Sequence, residues 1–416
     1  MADLPQRTAG ETGHVNDHNL LHAWLNSPLG FNEGQDILTG HVGFPGGSSL
    51  FLRADGSWAS PGGAAGSPGF TTAFGHQYVR ASGGSDTNDG ASPATAKATI
   101  NAAHTALPTN GGTIFLSEGA HLISSTQTIS KRGVKLIGAG KTATRLKANA
   151  AGLVGLRWTG SDGYAANFVI TDGTNGDWGT SFGWYHTGIW MDGGGQTRLD
   201  NIRFDGIGKN QARGLNWANG PAGLRISEDT GVGFGDWCLY SDLFFRDCYR
   251  SIAISSGMSG AFIAGASFGC TEEHVYALKQ ASAPGGNDLG HRFFRFGFTG
   301  SASNQFQVRI DHNNISPGPG AYTGGFEFMM TGHEFSGAAS GYGAFYVNLT
   351  KCRIWNTTYT AVTSTGPMVR FGPVASNNVV GPYVSEGNPI FEVPAGSNLG
   401  NPLWRPQDWT GSYTTY

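Results

Sequence analysis

Asp200-Asn-Ile-Arg-Phe-Asp205 and Asp242-Leu-Phe-Phe-Arg-Asp247 carry an aspartate at each end with mostly apolar residues between, and the second follows the first by 42 residues. A further short run, Gly223-Leu-Arg-Ile226, lies between them. Short strands at a fixed offset mark a solenoid, in which each repeat buries its apolar side by stacking on its neighbours. With one strand inside the offset, the spacing predicts two coils of roughly 20 residues each.

Similar runs recur on both sides: Thr113-Ile-Phe-Leu116, Val134-Lys-Leu-Ile137, Phe168-Val-Ile170, Gly188-Ile-Trp-Met191, Phe306-Gln-Val-Arg-Ile310 and Phe326-Glu-Phe-Met329. They alternate with period two and are bounded by Gly, Asn, Asp and Ser. No long helical pattern separates them, which excludes α/β folds, whose parallel strands need crossover helices. Glycine accounts for 67 of 416 residues, about twice the usual share. Sharp solenoid corners need Gly, Asn and Asp, because the backbone there often takes positive φ. The expected class is all-β, a right-handed parallel β-helix over 76–395. A β-sandwich or jelly roll is the alternative for such strands.

Charge and composition narrow the function. Net charge is -3 and charged residues are 13%, so no basic field exists for nucleic acid. No apolar run reaches the length of a membrane span. The stretch Met1-Ala-Asp-Leu-Pro-Gln-Arg-Thr-Ala-Gly10 has no apolar h-region, so no secretory signal is expected. Cys238, Cys248, Cys270 and Cys352 show no CxxC or zinc spacing. They are expected as buried thiols, with a Cys238–Cys248 disulfide as the alternative. No metal or cofactor is expected.

Residues 1–29 hold the one convincing helix pattern, with Leu20, Leu21, Trp24 and Leu25 on one stripe. So short a helix needs a partner, so these four residues are expected to attach or oligomerise the chain. His14, His18 and His22 share its four-residue spacing and are read as helix surface or packing. Residues 30–75 read as a Gly/Pro/Ser-rich linker with a small hairpin at Leu50-Phe-Leu-Arg-Ala-Asp-Gly-Ser-Trp58. Residues 396–416 are expected to cap the far end through Leu403, Trp404 and Trp409.

Two resemblances add to this. Tyr78-Val-Arg-Ala-Ser-Gly-Gly-Ser-Asp-Thr-Asn-Asp-Gly90, Ala98-Thr-Ile-Asn-Ala-Ala-His-Thr-Ala106 and Gly111-Gly-Thr-Ile-Phe-Leu-Ser-Glu-Gly119 together resemble the entry of pectate-lyase-like β-helices. There a strand and a turn lead to a short helix that covers the open end of the core. Ile100, Ala103 and Leu107 would do so here. Ala9-Gly-Glu-Thr-Gly-His-Val-Asn-Asp-His-Asn-Leu-Leu-His-Ala-Trp-Leu-Asn26 resembles the opening of minor tail proteins of phages that infect actinobacteria, and Leu50–Trp58 resembles a hairpin of phage fibre proteins. Such a tailspike-like plan implies docking to phage tail or baseplate proteins through residues 1–70, a homotrimer, and contact with a host cell-surface glycan. It places the protein in the virion, at the tail tip, after synthesis in the host cytoplasm.

The same resemblance implies, as the alternative, a polysaccharide depolymerase of the glycoside hydrolase kind, acting with two carboxylates. Asp200, Asp205, Asp242 and Asp247 are the main candidates, with Glu272, Glu273 and Glu334. If the repeat spans two coils, Asp200 and Asp242 lie about 10 Å apart, near the upper limit for an inverting pair. An aspartate at a solenoid corner also caps the turn, so no catalytic residue stands out. Aromatic faces suit sugar rings. Trp178, Trp184 and Tyr185, in a Gly-rich stretch read as a loop from Asp177 to Trp190, and Trp217, in a second loop from Lys209, are the glycan-contact candidates. Covering the solenoid flank or a subunit contact is the alternative role for these rings.

Overall fold

The computed structural model describes residues 75–150, 152–172, 185–213, 220–227, 237–254, 260–278, 291–300, 306–311, 325–335, 342–349, 351–361, most of 366–386, and short strands at 51–52, 58–59, 391–393 and 413–415. The chain divides into two compact units, Met1–Thr71 and Thr72–Tyr416. In the first, Phe51–Leu52 pairs antiparallel with Trp58–Ala59. This is the pairing expected of the hairpin. Leu20, Leu21, Trp24 and Leu25 lie outside the described residues.

The second unit is a parallel β-helix. Each coil gives a bent strand, or two consecutive strands, to a sixteen-stranded sheet and a shorter strand to an eleven-stranded sheet. Arg198–Asp205 pairs directly with Cys238–Arg246, with Arg198 opposite Leu239. One coil therefore takes 41 residues there, not two coils of about 20. The intervening strand Ala222–Ser227 belongs to the other sheet of the same coil. Coil length varies widely: Gly112 faces Val134 and Cys238 faces Gly260, a step of 22 residues each. The surplus runs out into loops.

A backbone constraint aligns the coils. Asn167, Asn201, Asp242, Ala264, Arg295, Met330 and Asn356 all have φ between 48° and 64°. The parallel pairing runs up to these residues and resumes beyond them, so they form one column where the sheet bends. Asn and Asp tolerate this left-handed region because their short polar side chains bond locally. The Nδ2 of Asn201 donates to the Oδ1 of Asn167 at 2.8 Å, linking two coils along the column. Ala264, Arg295 and Met330 hold the same conformation without that help.

Inside, identical positions stack. One column runs Ile114, Leu136, Ala165, Leu199, Tyr240, Phe262, Phe293, Phe328, Ile354 and Val380, all buried. The Phe262 and Phe293 rings are stacked at 4.4 Å, and Phe293 and Phe328 at 4.8 Å. Those distances match the spacing between strands, so the coil spacing itself sets the ring packing. The helix Ile100–Ala106 closes the entry end: Ile100, Ala103 and Leu107 are buried in the core, and Thr99 caps its N-terminus by accepting from the Ala102 amide. Tyr413–Thr415 adds to the sheet beyond Phe391–Val393, while Leu403, Trp404 and Trp409 lie outside the described residues. All four cysteines are buried free thiols. Among the described residues no helix is long and apolar enough to cross a membrane.

A buried polar chain crosses several coils. Ser251 meets Ser267, Ser267 meets His274 Nδ1, and His274 Nε2 meets the Gly300 carbonyl. Further along, His333 bonds Gln307 at 2.8 Å and Thr331 at 3.2 Å. Burial pushes the imidazoles down, His274 to about 4 and His333 to about 3, the latter with a smaller contribution from His274.

Two predictions follow from these features. Asn at position 264 fits the left-handed column, so Ala264→Asn should stabilise the fold by about 0.5–1 kcal/mol, and Asn201→Ala should destabilise it by about 1–2 kcal/mol. Thermal midpoints should move in opposite directions, and movement in the same direction would contradict the assignment. The second concerns acid. The unfolded imidazoles take up protons near 6.5, whereas the folded ones stay neutral to about 4 and about 3. Stability is therefore complete above 6.5 and is lost as pH falls through that window. The denaturant midpoint should drop on acidification, and drop less in His333→Gln.

Candidate functional site

An open cleft of about 240 Å³ lies on the outer face of the sixteen-stranded sheet, lined by Lys141, Thr142, Arg145, Val169, Thr171, Arg203, Asp205 and Arg246. Its geometry follows from strand alternation. Beyond the bend, every second residue points outward. Arg145, Val169 and Arg203 form one outward column over three coils. Thr171, Asp205 and Arg246 form the next. Val169 and Thr171 are buried and make the floor. Lys141 and Thr142 come from the turn between the strands Val134–Gly138 and Thr144–Ala148, forming a wall.

Carboxylates orient three of the four cations. Arg203 Nε donates to Asp205 Oδ1 at 2.7 Å. The Lys141 ammonium reaches Asp242 at 3.0 Å, spanning 101 residues of chain. Arg246 lies 3.6 Å from Asp247, which also takes Lys209 at 3.1 Å. Burial raises the Asp205 carboxyl above its ordinary range, although Arg203 and Arg246 pull it down. Asp247 adds a little to the rise.

The four candidate aspartates thus separate. Asp205 lines the cleft, and Asp242 and Asp247 hold its cations. Asp200 stands before the bend, bonded by Ser241 at 2.5 Å, Tyr164 at 3.2 Å and Arg198 at 3.2 Å. Burial raises its carboxyl, but these partners outweigh it and keep it below the usual value. Asp200 and Asp242 are not stacked: Asp200 faces Ser241, and Asp242 occupies the bend column beside Asn201. The 42-residue offset slips by one from the 41-residue coil, and one residue is enough to change a side chain's face. Glu273 is buried against Arg250 at 2.8 Å, and Glu272 is buried too. Glu334 lies on the column of Thr171, Asp205 and Arg246 several coils further on, and the column continues to Thr360 and Glu386.

The aromatic candidates fare differently. Trp178, Trp184 and Trp217 lie outside the described residues. Tyr185 opens the strand Tyr185–Asp192, so the stretch read as a loop to Trp190 is strand from Tyr185 onward. The described rings on the eleven-stranded sheet are already occupied. Arg157 lies 4.9 Å over Trp190, and Arg309 lies 5.5 Å from both Tyr276 and Tyr346. These belong to a column in which Arg and aromatic residues largely alternate from coil to coil.

Sequence reasoning missed Lys141 and Arg145 altogether. Arg203 and Arg246 lay inside the quoted repeats, each next or next-but-one to an aspartate, and that pairing was the available signal. It also missed an apolar stripe. Ile263, Phe294, Met329 and Trp355 face outward in register on four consecutive coils. Ile263 and Met329 are 39% and 38% exposed, and neighbouring Met330 is 45% exposed. Trp237, 70% exposed and left-handed, is another aromatic the sequence did not single out.

Solved structures similar to this chain include phage tailspike proteins and an alginate lyase. ORF18 of Geobacillus virus E2 is 13% identical, with a TM-score of 0.43 over 71% of this chain and 52% of that one. An alginate lyase from Paenibacillus sp. str. FPU-7 is 11% identical, with a TM-score of 0.45 over 68% and 91%. The Dettilon tailspike protein is 11% identical, with a TM-score of 0.42 over 73% and 62%. The chain spans about half the length of the first of these. No family model and no curated protein matches the sequence. At this identity the likeness concerns the fold alone.

The cleft geometry makes one prediction. Since Arg203, more than Arg246, draws the Asp205 carboxyl down against its burial, Arg203→Gln should raise the Asp205 titration further, followed by carboxyl NMR of Asp-labelled protein. An unchanged or lowered titration would contradict the assigned cause.

Proposed function

We propose that this chain is a phage virion tail protein that attaches through residues 1–70 and meets host envelope glycans with the outer surface of its β-helix. The observation that carries the reading is the cleft, an open charged concavity on the outside of a rigid solenoid. The order of segments supports it: a short helical pattern and a fibre-type hairpin precede the solenoid in sequence. Trp178, Trp184, Tyr185 and Trp217 remain the proposed aromatic contacts. Virion placement at the tail tip follows from the same reading.

The apolar stripe supports a homotrimer. Large apolar side chains in register over four coils resemble the centre of an interface more than a solvated face. A trimer presents three copies of a weak site at once, and avidity then supplies the binding. A second reading, glycan hydrolysis, is favoured by the raised Asp205 carboxyl with Asp247 close by, as an acid and its companion. New reducing ends released from envelope glycans by the wild type and not by Asp205→Asn would establish that reading.

Sedimentation tests the assembly. The expected mass is about three times the 43.7 kDa chain, and Phe294→Asp should shift it towards the monomer. A monomeric wild type would overturn the trimer, and failure to bind any bacterial envelope polysaccharide would overturn the glycan reading.

A further inference from the structure

The charge of the cleft deepens the proposed function and rests on it. We propose that the cleft takes an acidic polysaccharide, seating an anionic substituent (carboxylate, phosphate or sulfate) between Arg145 and Arg203.

Four cations and one carboxylate line this space, on a chain whose net charge is -3 and whose charged fraction is only 13%. Three of the cations are paired with Asp205, Asp242 and Asp247, so the surplus positive charge of the lining rests on Arg145, which favours a local anion at that point. Arg145 and Arg203 stand on one outward column with uncharged Val169 between them, about 10 Å apart at two strand spacings. Arg203 spends its Nε on Asp205, which orients the guanidinium and leaves its terminal amino groups for a ligand. Arg145 is exposed, and among the described residues no ion pair or hydrogen bond engages its side chain. An oriented guanidinium facing an unengaged one suits bidentate recognition of an oxyanion. A neutral sugar site would instead offer open aromatic faces, and no aromatic residue lines this cleft.

Affinity electrophoresis of the full chain at near-physiological salt tests this with four probes. Polygalacturonate carries carboxylates, phosphomannan phosphates and dextran sulfate sulfates, while plain dextran is uncharged. At least one anionic probe should retard the wild type, and which one does so identifies the substituent. Dextran should not. Arg145→Gln with Arg203→Gln should weaken binding at least tenfold. Arg145→Glu should do the same, and its side chain has no described partner whose loss could disturb folding. Arg80→Gln with Lys135→Gln, which removes two exposed cations outside the cleft, should change nothing.

Equal retardation by dextran, equal weakening by the Arg80 and Lys135 pair, or binding of duplex DNA with the same dependence on Arg145 would overturn the inference. So would failure of every anionic probe. If Arg145→Glu still binds bacterial envelope polysaccharide as well as the wild type, the cleft assignment fails and the glycan reading stands. If the wild type binds none, the glycan reading fails as well.

Discussion

Parallel hydrogen bonding between successive coils is the constraint on which the rest of this structure depends. A parallel ladder fixes both the spacing between strands and the register of every residue on them. Chain length between coils is then free to vary, from 22 residues to 41, provided that each return lands on the same residue. The left-handed column shows how strictly that return is kept. Asn167, Asn201 and Asp242 satisfy it easily. Ala264, Arg295 and Met330 satisfy it at a conformational cost of about 1–2 kcal/mol each. That cost is carried because a bend displaced by one residue would turn every following side chain to the wrong face.

The same register explains where the aromatic residues went. Stacked coils put like positions above one another, so a phenylalanine inside is most favourably followed by another. Phe262, Phe293 and Phe328 obey this, with rings as far apart as the strands themselves. Many of the described aromatic residues are therefore core. On the outside the rule takes another form. Arginine follows Trp190 and Tyr276 in register, and the ring faces are covered by guanidiniums from neighbouring coils.

What sequence could show of this follows from the distance over which each feature acts. Strand identity, the capping helix at Ile100–Ala106 and the buried thiols depend on local pattern, and all were legible. The coil length was not. A 42-residue offset between two aspartate-flanked strands is nearly the true 41, but whether one coil or two fills it depends on which sheet Ala222–Ser227 joins, a long-range fact. The cleft was hidden for the same reason. Lys141, Arg145, Arg203 and Arg246 are spread over 105 positions and converge only once three unequal coils are laid in register. The four aspartates were visible as residues. Their separation into one lining the cleft, two orienting its cations and one bonded elsewhere was not.

That separation bears on how the charges work. A surface ion pair contributes little to stability, and Lys141 with Asp242 or Arg246 with Asp247 would be minor on those terms. Their value lies in position. A carboxylate beside a flexible cation restricts its rotamers before any ligand arrives, so less entropy is lost on binding. It also lowers the local positive potential, which weakens attraction for any single anion. The balance favours a ligand with repeated charges, each weakly held, over a small ion tightly held. A solenoid whose outer columns repeat every coil suits a polymer on the same grounds, because both present their groups at regular intervals along one axis.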